Sequence, residues 1–117
     1  MSKKKYLRKN EFRYDTSPKV RRPDGRGHTV YVSAKQGHQA KINVITHSTA
    51  FFGEPTYELF KNPQRDSKSP RPARFSSPRW ESDKYLKNPP RGLWRLEKRD
   101  RRRILNFNRK HKKKNPT

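Results

Sequence analysis

The sequence predicts a mainly β (α+β) domain with a small core, one C-terminal helix and flexible basic ends. Three observations lead there. The stretch Gly27–Ser48 departs from the basic composition around it, and its apolar residues alternate with polar ones. Hydrophobic residues make up only 26% of the 117, enough for one small core in one domain. Near the C-terminus Ile104 and Phe107 stand three apart, which places both on one face of a helix.

Residues 1–26 carry no sustained period, and Ser17-Pro18 and Arg22-Pro23-Asp24-Gly25 are turn signals. A flexible basic arm is expected there, with Phe12 and Tyr14 tucked against the core. Next, Val30, Val32 and Ala34 alternate with Thr29, Tyr31 and Ser33, the pattern of a half-buried strand. Ala40, Ile42 and Val44 repeat it on one face of a second strand. The link Lys35-Gln36-Gly37-His38 suits a hairpin, because glycine takes a positive φ at little cost.

Ser48–Pro55 reads as a loop and Thr56–Phe60 as a third strand, rich in the aromatic and β-branched residues that strands favour. Asn62-Pro63 ends it, and the three prolines of residues 63–72 are loop composition. Ala73–Ser76 fits a short edge strand before Pro78, whereas Trp80–Asn88 shows no clear period and Pro89-Pro90 stops anything regular. Gly92–Leu96 fits a closing strand with Trp94 and Leu96 on one face. Glu97 and Asp100 then fall in the first turn of the helix, where negative charge suits the macrodipole. The helix runs to about Lys110, with Leu105 beside its apolar face. The domain is therefore expected over 27–110, followed by a basic tail at 111–117.

The charge is unevenly spread. Net charge is +22, divided as +7 over residues 1–27, zero over 28–60, +6 over 61–92 and +9 over 93–117. A neutral β centre framed by cation repels itself unless something anionic neutralises it. The plain alternative is a solubilising, partly disordered polycation; the favoured expectation is a nucleic-acid binder. Arg71, Arg74, Arg79, Arg91, Arg95, Arg99, Arg101, Arg102, Arg103 and Arg109 supply the forked donors that suit phosphate. Trp80 is a candidate for stacking on a base, while Trp94 and Phe107 read as core. Phosphate contacts alone leave RNA and DNA equally open as partners.

There is no cysteine, hence no disulfide, thiolate nucleophile or Cys-based zinc site. The four histidines lack acidic neighbours at helical ligand spacing, no phosphate-binding glycine loop occurs, and neither metal nor cofactor is expected. No apolar run approaches the ~18 residues of a membrane span. MSKKKYLRKNEF has no apolar segment behind its charges, so a cytoplasmic protein without membrane partners is expected.

One constellation could carry chemistry. In the hairpin, His28 falls opposite Thr46 or near it, beside His47 and Ser48. An imidazole moves protons near neutral pH, and hydroxyls with a nearby arginine hold a phosphate. Such a set could cleave RNA through the substrate's own 2′-OH. The same residues are also ordinary strand-end caps and turn formers.

His28-Thr29-Val30-Tyr31-Val32, then Val44-Ile45-Thr46, resembles the first half of MazF/PemK-type toxins. Thr46-His47-Ser48, a KNP triplet and GLWRLEKRDRRRI are similar to small basic PemK-like proteins of Gram-positive mobile genetic elements. The resemblance covers roughly residues 27–110 and implies a small SH3-like β-barrel, metal-independent cleavage of single-stranded RNA and an acidic antitoxin as partner. It places the family's catalytic threonine on Thr46. The family's arginine falls on His28, with Arg26 two residues away. An imidazole is no substitute for a permanent guanidinium, so the fold can carry over without the activity. Three functions are thus in view: a nucleic-acid binder, a ribonuclease toxin, and an inhibitor or adaptor seated on an acidic protein surface.

Overall fold

Three antiparallel strands, β1 (Glu11–Asp15), β2 (His28–Gln36) and β3 (Gln39–Thr46), form the middle of the sheet. The computed structural model describes residues 11–20, 25–88 and 94–111. The expectations for residues 1–10, the Arg22-Pro23-Asp24 turn, Pro89–Leu93 and the tail beyond His111 lie outside these.

The β2–β3 pair is the expected hairpin. Gln36 pairs with Gln39, so the turn is only Gly37 and His38, with Gly37 at φ 59°. Strand β1 corrects the expectation of an arm up to residue 26. Glu11 to Asp15 pair in register with Val32 to His28, and Phe12 is only 8% exposed. Phe12 and Tyr14 alternate with charged residues, which is a strand period hidden in basic surroundings. A 3-10 turn over Pro18–Val20 then buries Val20.

The remaining strands are short. β4 (Ala50–Phe51) and β5 (Glu54–Pro55) make a separate small hairpin inside the expected loop. β6 (Tyr57–Glu58) is the only strand in the stretch expected to be strand throughout from Thr56 to Phe60. β7 (Arg74–Phe75) is not at an edge, since it lies between β6 and β3. The stretch without a period supplies β8 (Arg79–Ser82) on β3 and β9 (Leu86–Lys87) on β1. The order is β6-β7-β3-β2-β1-β9, with β8 sharing the outer edge of β3 with β7. Trp94, expected in a closing strand, makes an isolated bridge with Gln64.

Helix α1 (Lys98–Lys110) completes a mainly β fold with one C-terminal helix. It changes the expected half-burial of the hairpin, because it covers the second face of the sheet. Under it Phe12, Tyr31, Ile45, Leu59, Ala73, Phe75 and Ile104 form one cluster, flanked by Tyr57, Trp94, Leu96 and Phe107. The opposite face gathers Val20, Val30, Val32, Ala40, Ile42 and Val44, with Phe51 and Leu86. Each Val, Leu, Ile or Phe fully removed from water in these clusters contributes roughly 1.5–3 kcal/mol.

A bulge between Val32 and Ala34 sets the helix in place. Val32 pairs with Ile42 but Ala34 with Lys41, so Ser33 is the extra residue and Ala34 is left half-buried, away from the apolar cluster where the alternation put it. The Ser33 hydroxyl donates to Lys41 O (3.1 Å) and accepts from Asn108 Nδ2 (3.0 Å). Asn108 and Asn43 exchange reciprocal amide bonds of 2.8 Å, and Asn43 also donates to Ser76 O. This fully bonded buried network joins helix to sheet. Among the described residues no helix is long and apolar enough to cross a membrane.

Candidate functional site

The N-terminal end of α1 meets the segment after β6 in an open depression of about 560 Å³. Five cations line it: Lys61 and Arg65 from one wall, Arg95, Lys98 and Arg101 from the other, with Leu96 and Glu97 between them. The two walls are far apart in sequence, and backbone bonds hold them together. Arg95 N–H donates to Pro63 O at 2.7 Å. The carboxylate of Asp100, buried to 0% exposure, accepts from Phe60 N–H (2.8 Å) and Lys61 N–H (3.0 Å). Asp100 is therefore more than the dipole partner its position suggests. It fastens the helix to the facing loop.

Glu97 offsets part of this charge. Its carboxyl is held below the usual range chiefly by the hydrogen bond from Arg99 and also by Lys61, against the opposing effect of burial. It stays ionised, and the depression keeps a clear positive excess. As the helix N-cap it makes no side-chain cap bond, so the positive end of the helix dipole adds to that field.

Of the arginines chosen from sequence, Arg95 and Arg101 meet in the depression. Arg99 and Arg103, one turn apart, instead lie over the ring of Phe60, at 4.6 and 4.7 Å from its centroid. Arg102 and Arg109 are exposed elsewhere on α1. Arg74 is engaged in the fold: it donates to the Thr56 hydroxyl (2.8 Å) and carbonyl (2.7 Å) and pairs with Glu58. Arg79 lies 4.0 Å over the Phe52 ring, and Trp80 is half-buried on β8 across from Lys41. Arg71 is exposed in a turn of the long loop. Arg91 falls outside the described residues. Lys61, Arg65 and Lys98 were not singled out in the sequence, because nothing local separates them from the other cations of so basic a chain.

The expected catalytic set is spread over local bonds. His28 Nδ1 bonds Val20 O, and its ring stands edge-on to Phe51. Thr46 Oγ1 accepts from Ser48 N–H (3.1 Å), and the Ser48 hydroxyl donates to Ala50 O (2.7 Å). His47 Nδ1 bonds Pro72 O (3.0 Å), and Arg26 is exposed before β2. These are bonds of strand ends and turns. The Val30–Val44 pairing still puts His28 and Thr46 at the same end of the hairpin, on the same face.

No family model matches the chain, and neither do curated proteins or solved structures.

Proposed function

We propose that this protein binds nucleic acid in the cytoplasm, engaging backbone phosphates through the cationic depression at the start of α1. The observation that carries the reading is the convergence of Lys61, Arg65, Arg95, Lys98 and Arg101 on one concavity whose walls are held by the Arg95–Pro63 backbone bond and the buried Asp100 carboxylate. Fixed cations around a concave surface focus the field outward, which raises both affinity and association rate for a polyanion. The depression is open, and Arg102, Arg109 and Lys110 continue the positive charge along the exposed part of the helix. A long backbone fits that layout better than a single small phosphate.

Binding is tested by anisotropy with labelled single-stranded RNA, single-stranded DNA and duplex DNA in chelator. Log K should fall with log salt by about 0.7 per contact on single strands and 0.9 on duplex. The combined variant Arg65→Ala, Arg95→Ala, Arg101→Ala is expected to lose more than about tenfold in affinity. Absence of binding by the native protein in dilute buffer overturns the proposal. An acidic protein partner seated on the same cations would be displaced by RNA. Running the same incubations on a denaturing gel reports cleavage: fragments lost with His28→Ala or Thr46→Ala would favour the ribonuclease function instead.

A further inference from the structure

We infer that Phe60 is a stacking platform for an unpaired base at the rim of the cationic depression. The inference rests on the phosphate-binding reading above and adds to it a preference for single strands. Phe60 is 57% exposed in a chain with little apolar material to bury. Its position is not loose. Leu59 before it is buried in the core and donates its N–H to Ala73 O (2.9 Å). Phe60 N–H and the N–H of the next residue, Lys61, are both held by the buried Asp100 carboxylate. The backbone is therefore pinned on both sides while the ring points away from the core.

Its surroundings suit a nucleotide. Lys61 lines the depression directly after it. Arg99 and Arg103 lie over the ring with their guanidinium carbons 4.6 and 4.7 Å from its centroid, so a base stacking there takes the place of a guanidinium and leaves it beside the strand's phosphates. A base can stack on such a ring only when its own face is free, which excludes bases inside a duplex. Ribose and deoxyribose strands present the same faces, and parallel RNA and DNA arms separate them. Among the described residues Phe52 is the other exposed phenyl ring, 52% exposed under Arg79, and unlike Phe60 it has no depression-lining residue next to it in the chain. That makes it the matched control.

The test compares dissociation constants for a single strand of about 12 nucleotides and for a duplex of the same length, in low salt. Phe60→Ala should weaken single-strand binding by about 5- to 100-fold and leave duplex binding within about twofold. Phe60→Trp should retain it, with the added indole fluorescence quenched by the strand. Phe52→Ala should change neither. Equal losses on both ligands, no loss with Phe60→Ala, or the same loss with Phe52→Ala each overturn the platform. In those cases the triple arginine variant still reports whether the phosphate reading stands. If the native protein binds no strand at all, both fall together.

Discussion

Asp15 is 0% exposed, and only one of its carboxylate oxygens has a partner, accepting from Ser17 N–H at 2.8 Å. Burial pushes its pKa up to about 7 and the nearby Glu81 adds to the rise, against the Ser17 N–H and Arg79. A folded pKa above the unfolded 3.8 means that the native state binds the proton more tightly. The stabilising contribution is then complete below about pH 3.8 and is lost as pH rises through about 7. From pH 5 to pH 8 this residue should cost the fold roughly 2–3 kcal/mol, at about 1.4 kcal/mol per pKa unit. Thermal melts across that range should show native stability falling more steeply than that of Asp15→Asn, with the variant more stable at pH 8. Parallel curves would refute the assignment. Gly27 offers a second test at this scale. A Cβ there would lie 2.0 Å from the Asp15 carbonyl oxygen, so Gly27→Ala must displace backbone where β1 meets β2. A loss of about 2–4 kcal/mol in denaturant unfolding is expected.

At the scale of elements, the attachment of α1 depends on groups that sequence periodicity does not describe. Ile104 and Phe107 marked the apolar face correctly, as Val30, Val32, Ile42 and Val44 marked the hairpin, because period and burial coincide there. Asn108 and Asn43 carry no apolar period to mark them, yet both are buried and bonded to each other. β1 escaped notice for the opposite reason: Glu11, Arg13 and Asp15 are charged at alternate positions in a chain where charge is everywhere. Strands of two residues, such as β6, β7 and β9, are too short to display any period. Removing one amide strands its partner in a dry interface, so Asn108→Ala should cost about 1–3 kcal/mol. With Asn43→Ala included, a double-mutant cycle should return a coupling of roughly 0.5–3 kcal/mol. Additive losses would mean that the two amides do not act as a pair.

For the whole molecule, the cations in the sequence made a polyanion the expected partner without saying where one would sit. The depression draws its walls from residues 61–65 and 95–101, and only the folded chain brings these together. Salt should then act with opposite sign on the fold and on the complex. A net charge of +22 on 117 residues repels itself, and screening with a Debye length of about 10 Å at 0.1 M relieves that repulsion. Raising salt should therefore increase the melting temperature while reducing affinity for a strand. Two triple variants of equal charge separate a site from a general coat. Removing Arg65, Arg95 and Arg101 should lower the salt slope of single-strand binding by about 2, at about 0.7 for each lost contact. Removing the exposed Lys35, Lys68 and Arg71, which lie off both the depression and the helix, should raise the melting temperature at low salt comparably, since net charge falls equally, but lower the slope much less. Equal slopes for the two variants would mean that the charge acts as a diffuse shell and that the depression has no special part in binding.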